Sequence, residues 1–189
     1  MIEEARKLAV ENPDQGRRMS EYAVIVEKAA EYCHHLSENW RMASKKASDF
    51  ALVDVVTVAR EVKQVIFFGN PAVQVSGSPE AWIRGSKFEL MRIFQNLMKN
   101  SIESGAMKVT ADFSVKAGNI VVTVTDNGPG MDEERIHRVQ HGGFTTKENG
   151  TGLGLSICRH LTGSHGGAFA IESRVGVGTT VRLTFPALK

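Results

Sequence analysis

Asp126–Met131 reads DNGPGM and Asn149–Ser156 reads NGTGLGLS, two glycine clusters that bracket residues 132–148. Glycine at 128, 130, 150, 152 and 154 allows positive φ and lets the backbone approach a ligand with no Cβ between them. Two such clusters imply two hinges around a lid. The second runs straight into an apolar-periodic segment, Leu153, Leu155, Ile157 and Leu161. Its free N–H groups therefore stand at a helix N-terminus, where the helix dipole favours an anion. An acid, Asp126, opens the first cluster, and the pair together reads as a nucleotide pocket. A single glycine-rich turn would not carry that reading.

Working outward, KVTADFSV (Lys108–Val115) and NIVVTVTD (Asn119–Asp126) alternate about a turn at Lys116–Gly118, as an antiparallel hairpin does. AFAIES (Ala168–Ser173) and TTVRLTFP (Thr179–Pro186) form a second hairpin at the end of the chain. A helix from Gly152 to His165 separates the lid from it. Before the first hairpin, Ser86 and Glu89 make a capping box ahead of an apolar-periodic helix from Lys87 to about Ser104. Asp54 caps another helix reaching about Ile66, and AVQVSG (Ala72–Gly77) and AWIRG (Ala81–Gly85) read as short strands. Hairpins with helices between them predict an α+β domain, a two-layer sandwich with helices on one face of a mixed, mostly antiparallel sheet.

The chain's 189 residues, 42% of them apolar, suffice for one good core and an appendage. The appendage is helical. After a turn at NPDQG (Asn12–Gly16), the heptad a and d positions Met19, Tyr22, Val26, Ala29, Cys33, Leu36, Trp40, Ala43 and Ala47 are all apolar. The seam wants a partner: a second copy completing a four-helix bundle, or alternatively the chain's own globular domain. Composition changes at Ala47–Asp54, dividing the chain into a helical hairpin, 1–48, and a globular domain, 49–189. Twenty-three Lys and Arg stand against 21 Asp and Glu, unclustered, which argues against nucleic acid. Cys33 and Cys158 form no CxxC pair, so a reducing, cytoplasmic setting fits. The longest apolar runs are far too short to span a bilayer, so no membrane contact is expected of this chain.

Asn96 and Asn100, four apart, project from one helix face beside apolar Phe94, Leu97 and Met98. An amide oxygen is a suitable hard ligand for Mg2+. Taken in order, FQNLMKNSIES, DNGPGM, GGFTTK, NGTGLGLS and RVGVGTTVRLTFP resemble the asparagine, glycine and phenylalanine boxes of the ATP-binding catalytic domain of sensor histidine kinases. That domain belongs to the superfamily shared with gyrase, mismatch-repair and chaperone ATPases. The resemblance covers about Asp49 to Leu188, and the heptad hairpin is similar to part of the dimerisation and histidine-phosphotransfer domain of such kinases.

The resemblance implies roles for particular residues. Asn100 is the Mg2+ ligand, with Asn96 assisting at the phosphates, and Asp126 binds the adenine amino group. Gly128 and Gly130 let a mobile ATP lid swing, with Phe144 anchoring it and Lys147 contacting phosphate. Gly150, Thr151, Gly152, Leu153 and Gly154 form the phosphate-binding stretch. Gly176, Gly178 and Thr179 support the pocket from behind. Its hydrolytic and serine-kinase relatives place Glu where this chain has Asn96, and an amide cannot take a proton from an attacking water. The chemistry implied is phosphoryl transfer from Mg2+-ATP to an imidazole and onward to a response-regulator receiver domain, in a homodimer joined through the hairpin. Alternatives are an anti-sigma-type serine kinase or a non-catalytic nucleotide-binding phosphotransfer adaptor.

Two departures stand out. Glu103 occupies a position where many members carry a phosphate-directed Lys, and no His is followed by the acid and Pro of the acceptor motif. His34 and His35 fall at outward heptad positions, so the acceptor is expected upstream of Met1 in a longer parent protein, which could be membrane-anchored. His137 and His141 have metal-like spacing without a third ligand and read as lid surface.

Overall fold

The computed structural model describes residues 15, 50–67, 69–141 and 154–188. The chain divides into two units, Met1–Ser48 and Asp49–Lys189. The heptad seam, with Cys33, His34 and His35, lies outside the described residues. Its elements are β1 (Ala51–Asp54), α1 (Val55–Ile66), β2 (Val73–Gly77), β3 (Trp82–Gly85), α2 (Lys87–Glu103), β4 (Val109–Lys116), β5 (Asn119–Asp126), α3 (Glu133–His141), α4 (Gly154–Ser164), β6 (Ala168–Arg174) and β7 (Gly178–Pro186).

The two hairpins join into one sheet of order β2-β4-β5-β7-β6, parallel only between β2 and β4. Alternation then sorts the layers. Register aligns Ala111 with Val124 and Val124 with Val181, and likewise Phe113 with Val122 and Val122 with Leu183, so one face is continuously apolar. These side chains share one core with Val55, Val58 and Val62 of α1, with Leu90, Phe94 and Leu97 of α2, and with Cys158 and Leu161 of α4. The opposite face carries polar pairs such as Ser76 with Asp112 and Thr125 with Thr180. Each large side chain buried in this way contributes roughly 1.5–3 kcal/mol. A one-residue slip of β5 would turn Ile120, Val122 and Val124 to water, and this holds the register. The α+β, two-layer architecture is the one the sequence predicts.

Local signals hold at most boundaries. Ala117 and Gly118, at φ 48° and 75°, make the two-residue turn between β4 and β5. The Asp54 carboxylate accepts from Val56 and Thr57 N–H at the start of α1, and from Ala81 N at 2.7 Å just before β3. Burial alone would raise its pKa, but the Thr57 hydroxyl and the Ala81, Val56 and Thr57 amides together hold it below the usual carboxylate range.

Three features lie beyond the local reading. AWIRG does not join the main sheet; β3 pairs antiparallel with β1, an unanticipated strand inside the boundary region, as a separate two-stranded ladder. Only Val53 of β1 is buried, so its four residues carry too little alternation to be read alone. The capping box at α2 is half made. Ser86 Oγ accepts from Glu89 N, but the Ser86 amide donates to His165 Nε2 at 3.1 Å, while the Glu89 carboxylate accepts from Ser164 Oγ. Third, residues 133–141 of the lid are helical: α3 is opened by Asp132, whose Oδ1 accepts from Arg135 N at 2.8 Å.

Candidate functional site

Strand alternation carries Asp126 inward. It is the next even position after Ile120, Val122 and Val124, at the end of β5, and is only 9% exposed. A buried carboxylate needs donors, and three converge on it. Gly128 N at 2.9 Å and Thr179 N at 3.2 Å donate to Oδ1, while Ser101 Oγ donates to Oδ2 at 2.8 Å. A carboxylate has about four acceptor positions, so one remains, on Oδ2.

The loop after β5 is stitched to the turn between β6 and β7. Gly176 N donates to Pro129 O at 2.8 Å, and Met131 N to Ser173 Oγ at 2.9 Å. Glycine is required at two points of this seam. Gly130 has φ +69° and a Cβ there would lie 2.0 Å from Arg174 O; Gly178 has φ +130° and a Cβ would lie 2.0 Å from Asp126 O. Gly128 and Gly154 do not adopt the positive φ expected of them and serve by close approach instead.

The second half of the site lies between α2 and α4. The apolar stripe of α2 buries Ile93, Phe94, Leu97 and Met98, which leaves Asn96 and Asn100 half-buried on the flank toward α4. A Cβ at Gly154 would sit 3.2 Å from Asn100 Nδ2 and 3.7 Å from Oδ1, so the first described residue of α4 rests against that amide. One turn earlier, the Asn96 side chain lies beside the Cys158 thiol, which donates to Ile93 O at 3.7 Å. Burial pushes this thiol up to about 12, with Asn96 and the Arg92 charge only partly opposing the shift. The asparagine pair is therefore part of a helix–helix seam rather than a solvated face. Ser101, adjacent to Asn100, links this half to Asp126.

Among the expected residues, Asn96, Asn100 and Gly154 come together, as do Asp126, Gly128 and Thr179, with Gly130 and Gly176 in the supporting loops. Phe144, Lys147, Gly150, Thr151, Gly152 and Leu153 lie outside the described residues. Glu103 is ion-paired to Lys99, its helical i,i+4 partner, at 3.7 Å. Sequence reasoning passed over Ser101, Ser173 and His165; a small hydroxyl on the buried face of α2 was the one signal for Ser101. Among the described residues no group of three or more His, Cys, Asp or Glu could hold a metal, and no helix is long and apolar enough to cross a membrane. A shallow depression of about 390 Å³ between Arg60, Lys63, Phe67 and Pro71 shares no residue with this site.

A buried acid at a strand end beside an asparagine-bearing helix and a glycine-led helix defines a nucleotide-binding α+β domain. The family described as histidine kinase-, DNA gyrase B-, and HSP90-like ATPase matches residues 85–189, more than half of the chain, and the chain belongs to it. Its relatives include Sporulation kinase C of Bacillus subtilis, 36% identical over 107 residues, which cover 55% of this chain and 25% of that protein. Histidine protein kinase DivJ of Caulobacter vibrioides is 32% identical over 190 residues, covering 90% of this chain and 32% of DivJ. The chain thus spans between a quarter and a third of the length of these two relatives. The catalytic domain of the histidine kinase ThkA is similar with a TM-score of 0.63 at 27% identity, over 72% of this chain and 95% of that one. A mycobacterial sensor histidine kinase, MprB, shares the fold, with a TM-score of 0.63 at 22% identity over 73% of this chain and 97% of its own. The second unit is an ATP-binding domain of the histidine kinase type.

Proposed function

We propose that the chain binds Mg2+-ATP and transfers its γ-phosphoryl group to a histidine, for relay to an aspartate of a response-regulator receiver domain. The observation that supports this most is the Asp126 carboxylate, with three of its acceptor positions taken by fixed donors and one left for the adenine amino group. Adenine satisfies that acceptor, whereas guanine would present a carbonyl to it. At the other end of the nucleotide, the dipole of α4 favours phosphate at its N-terminal end. Asn100, against Gly154, is suited to hold Mg2+ through its amide oxygen, and the ion would neutralise phosphate charge. Asn96 is an amide beside Cys158, and it offers no base for an attacking water or serine. That favours a nucleophile that needs no deprotonation, a neutral imidazole, over the serine-kinase reading.

The acceptor histidine is taken to lie outside residues 1–189, the working form to be a homodimer through the 1–48 hairpin, and the setting to be cytoplasmic. The test is labelled ATP with this chain alone, and with a separate helical fragment carrying a His followed by an acid. Acid-labile label on the fragment's histidine and none on the chain is the expected result. Label on His34 or His35 would overturn the placement of the acceptor. No label anywhere, despite ATP binding, would favour the non-catalytic adaptor.

A further inference from the structure

The helices that carry the phosphate half of the site run side by side in opposite directions. Asn100, near the C-terminal end of α2, meets Gly154 at the start of α4, while Ser86, the N-cap of α2, meets His165 just past the end of α4. Midway, Cys158 Sγ lies 3.7 Å from Ile93 O. The end at the start of α2 is fastened by two hydrogen bonds. Ser86 N–H donates to His165 Nε2 at 3.1 Å, and because an amide N–H can only donate, Nε2 must be unprotonated. The ring proton is therefore on Nδ1, which donates to Leu161 O at 2.7 Å. Ser164 Oγ reaches Glu89 Oε2 at 3.1 Å, a second bond between the same two helix ends.

Packing leaves the imidazole one orientation. Its side chain is fully buried, stacked on Phe50 at 4.8 Å between centroids and edge-on to Phe185 at 6.1 Å. A Cβ at residue 85 would lie 2.5 Å from its Cδ2, so Gly85 is what admits the ring. Orphan N–H groups at a helix start are ordinarily satisfied by water or by the helix's own side chains. Here the N-cap N–H of α2 is satisfied by a residue beyond the other helix, and an axial slide of α2 against α4 would break that bond.

We propose that His165, as its Nδ1–H tautomer, is a positioning residue that fixes the axial register of α2 against α4, and so sets Asn100 against the phosphate-binding end of α4. This rests on the reading of Asn100 and the α4 start as the phosphate site. The base half, Asp126 with Gly128 and Thr179, is built on β5, the loop after it and β7; α2 reaches it only through Ser101, so a displacement of α4 against α2 leaves it in place.

The experiment compares the affinity of the 189-residue chain for Mg2+-ATP with its affinity for adenosine, by calorimetry, in wild type, His165→Leu, His165→Gln and Asn100→Ala. Gln can present an amide oxygen to Ser86 N–H; Leu cannot. His165→Leu should weaken Mg2+-ATP about tenfold while leaving adenosine unchanged, and His165→Gln should recover most of the loss. Nitrogen NMR of the wild type should show His165 Nε2 unprotonated. Equal loss for both ligands in His165→Leu, no loss for either, no recovery in His165→Gln, or a protonated Nε2 overturns the proposal. If Asn100→Ala leaves Mg2+-ATP affinity intact, the phosphate-site reading falls and takes the positioning role with it. Loss in Asn100→Ala without loss in His165→Leu sinks the positioning role alone. Should His165→Leu not fold, Glu89→Ala with Ser164→Ala removes the accessible bond of the same fastening. That pair must then weaken Mg2+-ATP selectively, and an unchanged affinity overturns the proposal.

Discussion

Replacing Asp126 with Asn keeps the shape of the base pocket and inverts one of its atoms. The amide has two possible orientations. With its oxygen at the Oδ1 position it still accepts from Gly128 N and Thr179 N, at 2.9 and 3.2 Å in the parent. Its NH2 then faces Ser101 Oγ, which can rotate to accept. The flipped orientation would point NH2 at two backbone donors and strand both, at roughly 1–3 kcal/mol for each buried group, so the first is enforced. The position left for adenine becomes a donor facing a donor. The loss is at least that of a hydrogen bond to a charged acceptor, about 1.5–3 kcal/mol, or roughly ten- to a hundredfold in ATP affinity. A nucleotide with a carbonyl at the purine 6-position should suffer less, since the new NH2 can donate to it. Titration calorimetry with ATP and ITP measures both, and circular dichroism checks the fold. Unchanged ATP affinity in a folded Asp126→Asn chain would refute the assignment of adenine to this carboxylate.

Gly178→Ala should destabilise the second unit by more than about 2 kcal/mol in urea unfolding and weaken ATP, because positive φ is strained for Ala and its Cβ would meet Asp126 O. Asp54→Ala should cost about 1 kcal/mol near neutral pH through the lost cap. Because the folded carboxyl titrates below the ordinary aspartate range of the unfolded chain, this stabilisation is fully present above that range and is lost as pH falls through the depressed folded value. The difference between wild type and Asp54→Ala should therefore vanish at strongly acid pH in denaturant titrations, and a constant difference would contradict the cap's charge. Cys158, buried and with its thiol pushed up to about 12, should resist a thiol reagent at pH 8 in the native chain and react on unfolding; rapid native labelling would show α4 opening from α2.

Period and turn chemistry made much of this domain legible. β4 and β5 alternate cleanly because one face is core and the other water, and both hairpins, the Asp54 cap and the span of α2 follow from local rules. The asparagine pair, the acid and the glycine clusters stand out in the sequence as candidate chemistry, since those residue types at those spacings suit a nucleotide. Tertiary structure decided what local rules cannot see. β1 is a strand only because β3 lies beside it. The reciprocal half of the α2 capping box yields to His165 because the imidazole arrives from 79 residues away with an acceptor already oriented. Ser101 matters only once α2 sets its hydroxyl against the end of β5. A sequence displays each residue's donors, acceptors and preferred dihedrals; which donor meets which buried acceptor depends on how the two layers close, and Asp126, Asn100 and His165 acquire their partners only at that step.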